Sequence, residues 1–219
     1  MSPPRPTLIV TLGGTVEAVD AVRVLTNLSR GGLGREIVLA ALARGLRVHA
    51  LVSVLAVAPP PHRRLVVERF TSARDLATRL RTQLRRRGPV AVAMAAAVAD
   101  YRPARVTPGK LSSAPATRTL RLVRNPKLID AIARWRRDAV LVSFKLGAVA
   151  AAAPALIARA DRQRVRTRSR AVVANRWPTG GAHRAWLVTA AGVRALHGRR
   201  AIARAVVDEV VAAARGATR

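Results

Sequence analysis

"VAVAMAAAV", residues 90–98, is the stretch on which the fold turns. It has no polar side chain, follows Gly88-Pro89, ends just before Asp100, and is far too short to span a bilayer. A strand that is apolar on both faces belongs at the centre of a parallel sheet with helices on either side. Working outward, "TLIVTL" (7–12), "RVHALVSV" (47–54), "LVVERF" (65–70), "AVLVSF" (139–144), "AVVAN" (171–175) and "AWLVTA" (185–190) read as further strands. Helical spacing fills the gaps: "REIVLAALARG" (35–45) closes on a glycine, and "PKLIDAIARWRR" covers 126–137. "SARDLATRLRTQLRRRG" (72–88) offers Ser72 as N-cap, Asp75 as a box-like acid and Gly88 past its end. A helix around 151–168 and a terminal one over "RRAIARAVVDEVVAAAR" complete the series, while the prolines of "APPPHRR" (58–64) mark a loop.

Strand then helix, repeated along the chain, predicts the α/β class: a Rossmann-like, doubly wound, mostly parallel sheet with helices on both faces. The chain is 219 residues long and half hydrophobic, without internal repeat or low-complexity tail, so residues 1–219 read as one domain. "MSPPRP" leads straight into the first strand, no apolar run is long enough for a membrane span, and there is no cysteine. These features predict a soluble cytoplasmic protein and exclude a thiol nucleophile, a disulfide framework and a cysteine zinc site. The four histidines stand apart without metal-ligand spacing, so no metal site is assigned to them. Trp135, Trp177 and Trp186 read as packing residues.

Forty basic residues against 11 acidic ones give a net charge of +29, and only Lys110, Lys127 and Lys145 among the basic residues are lysine. Such a field draws polyanions. Aromatics are only 3%, too few for stacking platforms, and the arginines are spread along the whole chain. Compositional drift toward Ala and Arg is therefore favoured over a dedicated nucleic-acid surface.

In a doubly wound sheet, ligands sit beyond the carboxyl ends of the strands. Those exits read "LGGT", "AAAVADYRP", "SFKLG" and "VVANRW". Between the first strand and the first helix runs "GGTVEAVDAVRVLTNLSRGGLG", far longer than the usual connection of about two to six residues. Its glycines let backbone N–H groups approach phosphate, and Gly31-Gly32-Leu33-Gly34 opens a helix whose N-terminus favours an anion. Gly13-Gly14 reads equally well as a tight turn. The spacing is not the dinucleotide fingerprint, and "RVHALVSV" ends without an acid, which disfavours an NAD enzyme.

"GGTVEAVDAVRVLTNLSRGGLG" resembles the signature G-G-T-x-E-x-x-D-x-V-R-x-x-x-N-x-S-S-G-x-x-G of the phosphopantothenate–cysteine ligase family. "AAAVADYRPARVTPGK" is similar to its second signature, and "LVRNPKLI", "VSFKL" and "VVAN" follow in the family's order. The resemblance runs from about residue 7 to 210 and implies a ligase of coenzyme A biosynthesis. A nucleoside triphosphate, CTP or ATP, with Mg2+ activates the carboxylate of 4′-phosphopantothenate as an acyl nucleotidylate; the amine of cysteine then forms the amide. A catalytically degenerate relative that binds nucleic acid is the alternative.

By that resemblance Asn27, Lys110 and Arg23 are the catalytic candidates. Asn27 would steady the acyl nucleotidylate, Lys110 on an extended β flap would reach the triphosphate, and Arg23 would bind phosphate or carboxylate. Nucleotide-binding positions would be Gly13, Gly14, Ala96, Asp100, Lys110, Asn125, Pro126 and Phe144. Asn27, Ser29 and Gly31 would hold the other substrate. Several have plain structural readings as well: Asp100 as a turn acid, Lys110 as a solvated loop cation, Ala96 and Phe144 as core, Asn125 as an N-cap, Asn175 as merely adjacent to the site.

The chain also departs from the family. Arg30 replaces the second serine of "N-x-S-S-G", and Gln163 and Thr167 stand where bacterial members carry lysines, with Arg162, Arg164 and Arg166 close enough to substitute. The resemblance further implies a homodimer, joined through segment 101–122, and a separate phosphopantothenoylcysteine decarboxylase, since no flavin-binding half precedes the domain.

Overall fold

The computed structural model describes residues 5–148, 150–176 and 183–216. Its core is an eight-stranded sheet. The first half consists of β1 (Thr7–Leu12), the short pair β2 (Val16–Ala18) and β3 (Val24–Thr26), α1 (Gly32–Ala43), β4 (Arg47–Ser53), β5 (Leu65–Phe70) and α2 (Ala73–Leu84). The centre adds β6 (Val90–Met94), the short pair β7 (Tyr101–Pro103) and β8 (Leu122–Arg124), α3 (Leu128–Trp135) and β9 (Val140–Gly147). The chain closes with α4 (Ala153–Thr167), β10 (Ala171–Arg176), the hairpin β11 (Arg184–Thr189) and β12 (Gly192–His197), and α5 (Arg199–Gly216).

The strand order is β12-β11-β10-β9-β6-β1-β4-β5. From β5 to β10 every neighbour pairs in parallel, and β11 and β12 add an antiparallel edge. The chain winds outward from β1 to β4 and β5, then returns to place β6 on the other side of β1. That reversal puts a crevice between the β1 and β6 exits. The arrangement is the Rossmann-like doubly wound sheet that the alternating pattern predicts.

Period-two alternation sorts the side chains into two cores. Leu8, Val10 and Leu12 of β1, with Ala91 and Ala93 of β6, pack under α1 and α5. Ile9, together with Val90, Val92 and Met94, packs under α2 and α3. Alpha-4 covers β10 and β11 on that second face through Leu156 and Ala160. Helix α1 lies close to β1 because Gly34 has no side chain: a Cβ there would overlap that of Leu12. Helix α2 begins as its sequence predicts, with the Ser72 hydroxyl accepting from Asp75 N–H and the Asp75 carboxylate accepting from Thr71 N–H at 2.9 Å.

Several boundaries differ from the sequence reading. Strand β6 stops at Met94 rather than 98, because the backbone of the alanine run leaves the sheet to bond the β1 exit. The stretch from 13 to 34 is not a bare loop but carries the β2–β3 hairpin, and α1 starts at Gly32, inside the glycine-rich opening and ahead of the periodic stretch from 35. Helix α2 ends at Leu84, short of 88, and β9 runs on to Gly147. Strand β12 has no polar–apolar alternation, only Leu196 being buried, and so carries no periodic signal. The extended flap exists as β7 paired antiparallel with β8 at the base of segment 104–121. Trp135 and Trp186 are half-buried packing residues, as expected; Trp177 lies outside the described residues.

Candidate active site

Three loops meet at the switch point and lock together through backbone bonds. Ala97 N–H donates to Gly13 O at 2.9 Å, Thr15 N–H to Ala97 O at 3.2 Å, and Gly14 N–H to Ser29 O at 3.0 Å. Buried hydroxyls finish the joint: Thr11 Oγ1 accepts from Ala96 N–H, Thr15 Oγ1 from Ala99 N–H, and Ser53 Oγ donates to Gly14 O. A Cβ on Gly14 would stand 2.5 Å from the Asn27 carbonyl oxygen, so only glycine lets the loops approach this closely.

Above this joint opens a cleft of about 870 Å³, walled by the exits of β6, β9 and β10 and the N-termini of α1 and α3. It gathers Asn27, Ser29, Gly31, Ala96, Asp100, Asn125, Pro126 and Phe144 from segments far apart in sequence. Asn27 Nδ2 donates to Ala97 O at 3.2 Å, tying the first signature to the second. Exposed Asp100 accepts from Lys127 Nζ at 2.5 Å. Phe144 packs partly on the core beneath α1 and α5 and partly faces the cleft. Asn175 also lines it.

Asn125 is not the N-cap of α3; Lys127 holds that position without a side-chain cap. The buried Asn125 amide instead donates to Ala99 O at 3.0 Å while its Oδ1 accepts from Arg102, clasping the β6 exit to the β7–β8 pair.

Gly13, Gly14, Arg23 and Lys110 do not line the cleft. The glycines sit behind it, their backbones engaged with neighbouring loops. Arg23 Nη1 donates to Asp20 Oδ2 at 2.6 Å and to Leu111 O at 3.1 Å, at the root of the flap. Asp20 organises that junction: its carboxylate accepts from the N–H groups of Leu111, Val22 and Arg23 and from the Arg23 guanidinium. The Leu111 N–H is the strongest influence, and together these donors, against an opposing push from burial, hold Asp20 well below the usual carboxylate range. Thr107 and Gly109 bond the hairpin backbone at Val19 and Ala21, so exposed Lys110 rides on a flap pinned to β2–β3. Glu17, in the same signature, accepts from Ala73 N–H at 2.8 Å and satisfies the start of α2.

Arg30, already noted as replacing a serine, lines the cleft, and the rest of its positive field comes from residues to which the sequence reading gave no role. Arg35 and Arg199 flank it on the α1–α5 side, where the Arg199 guanidinium lies against Gly32. Lys127 and Lys145 line it toward α3 and α4, and Arg176 and Arg184 enter from β10 and β11. Among the described residues, Asp100 is its only acid. Among the described residues, the buried side-chain nitrogens without a hydrogen-bond partner are the Nε atoms of Arg35 and Arg176, and both residues line this cleft. Burial pushes the Lys145 ammonium below its ordinary pKa, as do the charges of Arg159, Lys127 and Arg166. Burial likewise lowers His183, helped by Arg199.

Gln163 and Thr167 are both buried. Gln163 Nε2 donates to Ser143 Oγ and Phe144 O, and the Thr167 hydroxyl bonds Gln163 O and Ser169, so α4 presents a neutral network here. Arg162, Arg164 and Arg166 do not line the cleft; Arg164 pairs with Asp161 and Arg166 with Asp130. Among the described residues no three His, Cys, Asp or Glu side chains gather to hold a metal. No helix among them is long and apolar enough to cross a membrane.

Residues 5–213 match the family model described as the DNA/pantothenate metabolism flavoprotein C-terminal domain. The coenzyme A biosynthesis bifunctional protein CoaBC of Mycobacterium tuberculosis is 33% identical over 141 residues, covering 63% of this chain and 32% of that protein. The chain thus spans about a third of the length of this curated relative. The crystal structure of the DNA/pantothenate metabolism flavoprotein from Streptococcus pneumoniae superposes with a TM-score of 0.86 at 25% identity, covering 94% of this chain and 99% of that one. A Cab2 mutant in complex with phosphopantothenate-cysteine shares the fold, with a TM-score of 0.79 at 18% identity over 96% of this chain and 87% of that one.

Proposed function

The chain belongs to the DNA/pantothenate metabolism flavoprotein C-terminal domain family, and from that premise we propose that it is a phosphopantothenate–cysteine ligase of coenzyme A biosynthesis, residues 1–219 acting as one domain. The observation that carries the proposal is the shared cleft: Asn27, Ser29 and Gly31 on one side, Asp100, Asn125, Pro126 and Phe144 on the other, with the Ala95–Ala97 backbone between them.

In this reading the nucleotide occupies the side of Asp100, Pro126 and Phe144, its base or ribose donating to Asp100 and stacking near Phe144. The 4′-phosphopantothenate lies along Asn27 and Ser29 with its phosphate at the N-terminus of α1, where backbone N–H groups, Arg35 and Arg199 favour an anion. A carboxylate oxygen attacks the nucleotide's α-phosphorus and the bond to the β-phosphate breaks, releasing pyrophosphate. The cysteine amine then attacks the acyl carbon, the nucleoside monophosphate leaves with the carbon–oxygen bond pair, and the amine proton passes to solvent. Asn27 is suited to the second step because its amide can donate to the developing oxyanion and accept from the amine. Nothing in this sequence of steps needs a Ser or Cys nucleophile; positioning and positive charge carry it. Mg2+ would enter on the nucleotide's phosphates, as that ion commonly does, the described residues offering it no carboxylate cage.

Lys110 would act from the flap, and Arg23 by holding the flap root rather than by touching substrate. A homodimer through the flap and a phosphopantothenoylcysteine decarboxylase partner belong to the same proposal, the latter supported by the bifunctional relatives, and the setting would be cytoplasmic. Purified protein with Mg2+, 4′-phosphopantothenate, cysteine and either CTP or ATP tests it. Amide product and pyrophosphate in equal amounts with one nucleotide are expected; no product with either overturns the proposal.

A further inference from the structure

Lys145 is a half-buried lysine without an ion pair or hydrogen bond among the described residues, in a chain that otherwise relies on arginine. Alternation along β9 fixes its direction. Val142 and Phe144 join the core beneath α1 and α5, while Ser143 turns to Gln163 of α4, so Lys145 faces the α4 side. Its cross-strand neighbour is Ala174, and Arg176, two residues further along β10, lies diagonal to it on the same face. The Arg176 guanidinium stacks on Trp186 with its centre 5.4 Å from the ring centroid, and its buried Nε has no acceptor among the described residues. Lys127 and the arginines Arg159 and Arg166 of α4 add positive charge, and of these groups only Lys127 is held by the cleft's acid, Asp100. Asp100 pulls the other way on Lys145 but is already paired with Lys127, so a lysine drawn partly out of water among like charges has no direct ion-pair partner among the described residues. The gap lies inside the cleft, where Asp100 is the only acid among the described residues.

We propose that Lys145 and Arg176 form the seat for the oligophosphate chain of the nucleoside triphosphate. This rests on the ligase reading and deepens it. Lys145 supplies a compact charge to non-bridging phosphate oxygens, and Arg176, its plane fixed by Trp186, supplies directed donors. The neutral network of Ser143, Gln163, Thr167 and Ser169 forms the floor beneath them. The depressed ammonium pKa agrees: a bound polyanion would restore it.

The chain has only three lysines, which makes the test clean. Whole protein is treated with a limiting amine-acylating reagent near pH 8, and the modification of Lys110, Lys127 and Lys145 is followed by mass spectrometry. The probes are inorganic tripolyphosphate, Mg2+–CTP and Mg2+–ATP. Lys145 should be slowed about tenfold or more by tripolyphosphate and by the nucleotide that supports condensation, as loss of a charge-assisted contact implies. Lys145→Gln should weaken binding of that nucleotide about tenfold, and Lys145→Arg should recover most of it. Unchanged acylation of Lys145 under every probe, together with full condensation activity, would overturn the inference and leave the ligase reading intact. Protection by tripolyphosphate without any nucleotide-dependent condensation would keep the anion seat and remove the ligase reading.

Discussion

The side-chain amide of Asn27 donates to the backbone carbonyl of Ala97 at 3.2 Å, joining two signatures that are 70 residues apart in sequence. One of its N–H bonds therefore fixes the side chain while the rest of the amide remains available to a ligand. This geometry depends on the surrounding joint, in which Gly14 bonds Ser29 and Ala97 bonds Gly13.

The flap depends on Asp20. Replacing it with Asn removes the charge that gathers Leu111 N–H, Val22 N–H and Arg23. Asp20→Asn should speed tryptic cleavage at Arg105, Lys110 and Arg118 about tenfold or more, as expected for a local opening made easier, and should lower ligase turnover without changing the circular dichroism of the sheet. Cleavage at the wild-type rate would show that the carboxylate does not hold the flap.

Gly34 sets the distance between α1 and β1. In Gly34→Ala the new methyl group meets Leu12 and the backbone of β1, both rigid, so the helix must shift outward. The expected loss is about 1–3 kcal/mol, read as a lower urea midpoint at unchanged slope. Substrate affinity should fall too, since α1 carries Gly32 and Arg35 into the cleft. A midpoint equal to wild type would contradict this packing.

Acid should destabilise the protein through His49. Its Nε2 lies 3.0 Å from Glu68 Oε2 and its Nδ1 2.9 Å from Arg86 Nη2. A guanidinium only donates, so Nδ1 must accept and the ring must be neutral. Burial pushes its pKa down, and with the charge of Arg86 this outweighs the upward pull of Glu68. The unfolded chain takes up a proton near pH 6.5 and the folded protein resists it, so stability is complete above that pH and falls below it, by up to about 1.4 kcal/mol per pH unit. Urea unfolding at about pH 7.5 and about pH 5.5 checks the slope. His49→Gln should flatten it, and equal slopes in both proteins would contradict the assignment.

The winding of the sheet was legible because its strands are apolar in short runs and its helices periodic, as in "TLIVTL" and "SARDLATRLRTQL". Where one residue type fills a segment, periodicity is silent: "AMAAAV" gives no sign that the strand ends at Met94, a boundary set by Thr11 of β1 and Gly13 just beyond it. Signature spacing brought Asn27 and Asp100 to notice, and they do share the cleft. Arg35, Arg176 and Arg199 stayed hidden because no single arginine stands out in so basic a chain. Lys127 and Lys145 had a usable signal, their rarity among 40 basic residues. The work of Glu17 and Asp20 in fixing α2 and the flap depends on Ala73 and Leu111, distant partners that spacing does not reveal.

The most direct test is the stoichiometry of the two half-reactions in Asn27→Asp. That change replaces the amide donor at Ala97 O with a carboxylate, which repels the carbonyl and cannot steady an oxyanion. With Mg2+, the active nucleotide, 4′-phosphopantothenate and cysteine, the variant should release pyrophosphate and accumulate acyl nucleotidylate, with amide formation down about a hundredfold or more. Amide formed at the wild-type rate, matching pyrophosphate one for one, would contradict the account.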